Sequence, residues 1–115
     1  MPDRRRLGKE AEDQAANYLL GAGLTLVTRR FSARGGEIDI IALDGDVLVF
    51  VEVRQRGPRS PKPEETIDTR KSARISVAAQ AYMREIGEIS KPIRFDLVAI
   101  DGDGLRHHKD FFRGN

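Results

Sequence analysis

The chain has 115 residues, of which 39% are hydrophobic and 33% charged, a composition typical of one folded domain with a heavily charged surface. Twenty lysines and arginines against 18 acidic residues give a formal net charge of +2, so total charge alone does not indicate nucleic-acid binding. The lack of cysteine excludes disulfides, thiolate nucleophiles and cysteine-ligated zinc. No apolar run approaches the roughly 20 residues that span a bilayer, so we expect a single cytoplasmic domain over residues 1–115 that does not associate with membranes.

Two amphipathic helices are predicted from the spacing of apolar residues. The first runs from Leu7 to Leu20, and Gly21 and Gly23 follow it as stop signals. The second runs from about Thr69 to Ile86, with Gly87 as its C-terminal stop. Helices of this kind bury one face and therefore need a partner layer in the fold.

Five strands are predicted between and after the helices. They lie, in chain order, at Leu24 to Phe31, Ile38 to Leu43, Val47 to Val53, Ile93 to Ile100 and Leu105 to Phe111. The proline-rich stretch from Gln55 to Pro63 is predicted to be a loop. The resulting order αβββαββ indicates an α/β fold, in which helices pack against a mixed sheet.

The second and third strands form a hairpin in which one face is apolar throughout. Regular alternation places Ile38 and Ile40 on this core face. The opposite face carries Asp39 and Glu52 at the end far from the turn. A strand that is apolar on both faces belongs in the middle of a covered sheet, so we expect the charged end to lie in a partly enclosed cleft.

The length of the hairpin link decides how Asp39 and Glu52 are related. A two-residue link at 45–46 puts them directly opposite each other, one at 44–45 makes them diagonal neighbours, and a three-residue link separates them onto opposite faces. Two adjacent carboxylates need a cation, a shared proton or a basic neighbour such as Arg54. The pair is therefore either an ordinary ionic cluster or a site for Mg²⁺, which carboxylates hold beside a phosphate.

Two segments of this hairpin, Gly36-Glu37-Ile38-Asp39-Ile40-Ile41-Ala42 and Val49-Phe50-Val51-Glu52-Val53-Arg54, resemble the YraN family of uncharacterised bacterial proteins. That family is similar to Holliday-junction resolvases and to the wider restriction-endonuclease-like PD-(D/E)XK superfamily. The resemblance extends from helix one to the strand Arg94-Phe95-Asp96-Leu97-Val98-Ala99-Ile100. It implies a restriction-endonuclease-like, resolvase-like sheet flanked by helices.

The resemblance also implies roles for individual residues. Asp39 and Glu52 match the superfamily's metal ligands for Mg²⁺ or Mn²⁺, and Glu12 matches the acidic residue that resolvases carry on the first helix. The motif lysine falls on Arg54, and arginine stays charged in proteins, so Arg54 would orient water and phosphate but not act as a base. Deprotonation of water would then depend on the metal or on Lys71, if helix two brings its amine to the cleft.

These roles predict a metal-dependent nuclease that hydrolyses phosphodiester bonds in DNA, in particular branched or structured DNA. Arginine's planar fork suits phosphate contacts, and the residues expected to bind nucleic acid are Arg34, Arg54, Arg56, Lys71 and Arg74. One alternative is a catalytically inactive nucleic-acid-binding module with a nuclease-like fold, which the arginine at position 54 favours. Another is a scaffold for a protein partner. Resemblance to resolvases adds the expectation of a homodimer.

Three further polar residues are expected to be structural. His107 and His108 are adjacent, so in a strand they face opposite ways and cannot jointly hold one metal ion. Asp96 alternates with apolar neighbours and is expected to form an ion pair with Arg94 or another basic residue.

Overall fold

The computed structural model of the protein describes residues 4–88 and 90–112, and for residues 4–7 it describes the backbone alone. Its elements are α1 (Arg4–Gly21), β1 (Thr25–Ala33), β2 (Gly36–Asp44), β3 (Val47–Gln55), a 3₁₀ turn (Pro63–Thr66), α2 (Thr69–Ile86), β4 (Ile93–Asp101) and β5 (Gly104–His108). The predicted α/β class and the order αβββαββ are confirmed. Neither helix is long and apolar enough to cross a membrane within these described residues.

The ends of α2 follow directly from its sequence. Asp68 caps the N-terminus, because its carboxylate accepts a hydrogen bond of 2.8 Å from the backbone N–H of Lys71. Gly87 ends the helix in the left-handed region at φ 74°, which glycine adopts without steric cost. Both predicted limits of this helix are confirmed, and Lys71 stands in its first turn.

All five strands form one mixed sheet in the order β1-β2-β3-β4-β5. The pairs β1–β2, β2–β3 and β4–β5 are antiparallel, whereas β3 and β4 are parallel and are joined through α2. A parallel pair needs such a crossover connection, since the chain must return to the same end of the sheet. The crossover brings the start of α2 beside the end of β3.

The core has two layers, one on each face of the sheet. The α1 layer contains Ala11, Ala15, Ala16, Leu19, Leu24, Ile40, Ala42, Val49, Val51, Val98 and Ile100. The α2 layer contains Ile38, Ile41, Leu48, Phe50, Ile75, Ala78, Ala79, Met83 and Phe95. The central strand β3 contributes to both layers, which confirms that it is covered on both sides.

One detail of the predicted hairpin is wrong: Ile38 does not share a core face with Ile40. Ile38 packs in the α2 layer and Ile40 in the α1 layer, so the alternation of β2 slips at Asp39. The neighbouring strand slips at the same level, where Arg30 has a left-handed φ of 57°. Arg30 therefore lies opposite Asp39 at a local wrinkle shared by β1 and β2, since Phe31 still pairs with Ile38 beyond it.

The last strand is shorter than predicted and ends at His108 instead of Phe111. Asp110 has a left-handed φ of 54°, which turns the chain away from the ladder. Its backbone N–H then donates to the Asp96 carboxylate at 3.0 Å. The first helix also starts earlier than predicted, at Arg4 instead of Leu7.

The structural roles expected for Asp96 and the two histidines are confirmed. Asp96 is fully buried and accepts two hydrogen bonds from Arg94, at 2.8 and 3.0 Å. Its carboxylate also contacts Nε2 of His107 at 2.8 Å, whereas His108 contacts Glu64 on the other face of the sheet. Burial alone would raise the pKa of Asp96, but hydrogen bonds from His107, Arg94 and the backbone of Asp110 together lower it.

Glu64 ties the 3₁₀ turn to β5, and we expect Glu64→Gln to lower the free energy of unfolding by about 1 kcal/mol at pH 7. Nε and Nη2 of Arg106 donate hydrogen bonds of 2.7 and 3.0 Å to this carboxylate. Hydrogen bonds from Arg106 and then His108 lower the pKa of Glu64 from 4.5 to about 2. The stabilisation is therefore complete above about pH 4.5 and is lost as the pH falls through 2.

Acid unfolding of the two proteins, followed by circular dichroism, measures this contribution. The wild type should lose more stability than Glu64→Gln between pH 5 and pH 2. Glu65→Gln is the matched control, because Glu65 is exposed in the same 3₁₀ turn. Equal acid sensitivity of wild type and Glu64→Gln would show that this tie contributes nothing.

Candidate active site

The link between β2 and β3 consists of Gly45 and Asp46. Asp44 pairs with Val47 on either side of it, and the register continues to the pair of Ile40 and Val51. One further step of this register places Asp39 opposite Glu52. Of the links that the sequence leaves open, the fold therefore adopts the one that brings the two carboxyl groups closest together.

Asp39 and Glu52 form a carboxyl pair at the end of this hairpin. Oδ2 of Asp39 accepts a hydrogen bond of 2.8 Å from the backbone N–H of Val53. Burial raises the pKa of Asp39 to about 8, aided by the negative charge of Glu52 and by a hydrogen bond between the two carboxyl groups. Asp39 therefore keeps its proton at neutral pH and forms a hydrogen bond with Glu52.

Two basic side chains offset the charge of Glu52, which is only 3% exposed. Nζ of Lys71 lies 3.1 Å from Oε2 of Glu52, and Nη1 of Arg54 lies 3.7 Å from the same oxygen. Arg54 follows Glu52 by two residues on the same face of β3, whereas Lys71 comes from the first turn of α2. The structure thus brings together four of the residues that the sequence singles out.

The orientation of Arg54 is fixed by a residue that the sequence analysis missed. Nε of Arg54 donates a hydrogen bond of 2.9 Å to Oγ1 of Thr66, and that hydroxyl donates to the carbonyl oxygen of Pro63 at 2.6 Å. Thr66 follows a proline-rich loop and has no motif of its own, so nothing in the sequence marks it. Its hydroxyl leaves the Nη groups of Arg54 directed toward Glu52.

Glu12 is buried on α1, but it is held by arginines and is not joined to the carboxyl pair. Its carboxylate accepts hydrogen bonds from Nε of Arg29 at 2.9 Å and from Nε of Arg30 at 3.2 Å. Within residues 4–88 and 90–112, no three carboxylates or histidines are close enough to hold one metal ion. Direct ligation by Glu12 would therefore require it to leave these two partners.

A cleft of about 830 Å³ opens beside the carboxyl pair. Its lining comprises Gly8, Lys9, Ala11, Glu12, Arg30, Asp39, Val53, Arg54, Gln55, Arg56 and Gly57. Four of these side chains are cationic and two are acidic. The cleft can therefore receive an anionic ligand directly above Asp39, as the partly enclosed charged end of the hairpin predicts.

The other basic residues expected at the site divide into two groups. Arg56 lines the cleft, and burial together with the charge of Arg54 lowers its pKa. Arg34 is exposed in the turn between β1 and β2, and Arg74 is exposed on α2. Neither of these two contributes to the cleft lining, so they would act on a ligand only where it extends beyond the cleft.

The carboxyl pair fits a divalent cation in its chemistry. Asp39 is open to the cleft and Glu52 lies behind it, and both offer the oxygen atoms that Mg²⁺ and Mn²⁺ prefer. Mg²⁺ usually retains several waters and needs only one or two protein carboxylates. A cation would also replace the proton of Asp39 and relieve the repulsion that accompanies its loss.

A family model described as "Uncharacterised protein family UPF0102" matches residues 11–100 of the chain. This match covers the part of α1 that carries Glu12, the whole hairpin and all but the last residue of β4, which carries Asp96. It therefore contains every residue of the cleft lining except the two at its N-terminal edge, Gly8 and Lys9.

Curated relatives of similar length share much of the sequence. A "UPF0102 protein" from Dechloromonas aromatica is 49% identical over 107 residues, which is 91% of this chain and 87% of the relative. One from Halorhodospira halophila is 45% identical over 113 residues, 96% of this chain and 90% of the relative. One from Persephonella marina is 42% identical and covers 91% of both chains.

Proposed function

We propose that this chain, which belongs to the uncharacterised protein family UPF0102, is a Mg²⁺- or Mn²⁺-dependent nuclease that acts on DNA in the cytoplasm. The observation that carries the proposal is that Asp39, which forms a hydrogen bond with Glu52, lines a cleft that also contains Arg30, Arg54 and Arg56. Two adjacent buried carboxyl groups lose their shared repulsion only when a proton or a cation offsets one charge, and the arginines suit a phosphodiester.

In this proposal Asp39 and Glu52 hold the metal. A bound cation would supply positive charge to the scissile phosphate and lower the pKa of the attacking water. Arg54, held by Thr66, would donate hydrogen bonds to a non-bridging phosphate oxygen as negative charge develops there. Because arginine remains charged, it cannot accept the water's proton.

Lys71 supplies the amine that the hairpin lacks. Its Nζ lies 3.1 Å from Glu52, on the same side as Arg54, although it comes from α2 and not from β3. An amine held in this position can stabilise the attacking water or accept its proton once it is itself deprotonated. The chain therefore retains a lysine at the carboxyl pair despite the arginine at position 54.

A restriction-endonuclease-like fold is part of the proposal. It is supported by the antiparallel unit β1–β2–β3, the parallel addition of β4 through α2, and the helices on opposite faces of the sheet. The acidic pair lies one step beyond the last ladder pair of β2 and β3, Ile40 with Val51.

Incubation of the protein with labelled branched, duplex and single-stranded DNA tests the activity. We expect cleavage with Mg²⁺ or Mn²⁺, none in EDTA, and a loss of at least about 100-fold in Asp39→Asn, since one ligand and its charge are removed. Asp46→Asn is the matched control, because Asp46 is exposed in the hairpin turn. If no substrate is cleaved under any metal condition, the nuclease proposal is wrong.

The second candidate is a nucleic-acid-binding module without turnover, which the fixed charge of Arg54 favours. It predicts binding to the same DNA whose affinity falls steeply with added salt, as counterions are released from the phosphates, but no cleavage. Binding that is absent at low salt would exclude both candidates. That result would favour a scaffold for a protein partner, in which the carboxyl pair is only an ionic cluster.

A further inference from the structure

Arg30 adopts a backbone conformation that its side chain makes unfavourable. It is one of two non-glycine residues among those described with a positive φ, at 57°. The left-handed region is disfavoured for residues with a Cβ atom, and such strain persists where the surrounding structure enforces it. Glycine would remove the strain at this position, so the presence of arginine calls for a reason.

The strained residue lies at the candidate active site. Arg29 pairs with Ile40 and Phe31 pairs with Ile38, so Arg30 is the residue of β1 that faces Asp39 across the ladder. Arg30 and Asp39 both line the cleft, at the level where the alternation of β2 is broken and the backbone of Arg30 is left-handed.

The Arg30 side chain is available for a ligand although it contacts Glu12. Arg29 already binds that carboxylate at 2.9 Å and is 35% exposed, whereas Arg30 is 59% exposed and lies farther from it, at 3.2 Å. Among the described residues, only Nε of the Arg30 guanidinium has a partner. Both Nη groups can therefore donate to an incoming anion.

We infer that Arg30 is a phosphate-binding residue, on the wall of the cleft opposite Arg54 and Arg56. The nucleic-acid backbone would then run through the cleft, between β1 and the end of β3, and not along the exposed face of α2. This inference rests on the proposed function, because it assumes that the ligand is a nucleic acid. It extends the proposed function by saying where the nucleic-acid backbone would lie and why β1 is irregular at Arg30.

Arg30→Gly tests the inference, because the change removes the side chain and the strain together. We expect its melting temperature to equal or exceed that of Arg30→Ala, since glycine adopts φ 57° freely. Its affinity for duplex DNA should fall roughly three- to tenfold, and the slope of log K against log salt should become shallower by about 0.9, the value for one phosphate contact. Arg30→Lys, which keeps the charge, should retain most of that slope.

Two controls separate the outcomes. Arg84→Ala removes a charge in the last turn of α2, about 20 Å along the helix from Lys71, and should leave the slope unchanged. Arg54→Ala should make the slope shallower, as the proposed function requires. If Arg54→Ala weakens binding and Arg30→Gly does not, the inference about Arg30 is wrong and the proposed function stands. If the wild type does not bind DNA, both fail.

Discussion

Gly36→Ala is expected to lower the free energy of unfolding by about 3 kcal/mol or more, and the melting temperature by about 10 °C. A Cβ atom at this position would overlap the carbonyl oxygen of Arg74 and lie 2.9 Å from its carbonyl carbon. These are backbone atoms within α2, so no side chain can rotate away. The helix would have to move off the hairpin, and with it the first turn that holds Lys71.

Two other glycines serve as controls that distinguish steric overlap with α2 from backbone strain at a positive φ. Gly45 has a φ of 61°, and no atom lies within 4 Å of the point that an added Cβ would occupy. Gly45→Ala should therefore cost only about 1 to 2 kcal/mol, from the backbone alone. Gly102 has open space and no positive φ, and Gly102→Ala should change little. Chemical denaturation gives all three values, and a Gly36→Ala variant as stable as Gly102→Ala would contradict the close approach of α2.

Asp39→Asn is expected to be more stable than the wild type above pH 8 in EDTA, by at least about 1 kcal/mol. The pKa of Asp39 is raised from 3.8 to about 8, chiefly by burial and by the charge of Glu52. A raised pKa means that the stabilisation is complete below about pH 4 and is lost as the pH rises through 8. The loss approaches about 1.4 kcal/mol for each pH unit, whereas asparagine does not titrate.

With added Mn²⁺, the wild type should become more stable than Asp39→Asn. A cation that bound only the folded protein would raise its apparent stability, and it would compete with the proton of Asp39. The increase in melting temperature should therefore be larger at pH 8.5 than at pH 6.5, and Asp39→Asn should lose most of it. Asp46→Asn, as an exposed control, should follow the wild type. If Mn²⁺ does not change the melting temperature of the wild type at either pH, the metal-site proposal is wrong.

The sequence predicts the elements well because their signals are local. The capping aspartate and terminal glycine define α2, and alternating apolar residues define the hairpin. The opposition of Asp39 and Glu52 follows from one further fact, the two-residue link, which the sequence leaves open among several lengths. Once that link is known, the register places Asp39 opposite Glu52, although it does not predict the break in alternation at Asp39.

The remaining features of the site depend on contacts between distant parts of the chain. Glu12 on α1 accepts hydrogen bonds from Arg29 and Arg30 on β1. Thr66 in the 3₁₀ turn accepts one from Arg54 on β3. No periodicity encodes such encounters. The left-handed backbone of Arg30 is harder still to predict from the sequence. Glycine often marks a break in strand alternation, and neither β1 nor β2 has a glycine at that level.

The same wrinkle affects how the protein meets other chains. β1 is an edge of the sheet, and the outer side of a nine-residue edge strand would normally allow another strand to pair with it. Its register shifts between Leu26 and Thr28, Arg30 breaks the extended backbone, and Arg29 adds a further charge. A continuous ladder with a second copy cannot form along such an edge. A homodimer would therefore need another surface, and aggregation through β1 is opposed by the very irregularity that shapes the cleft.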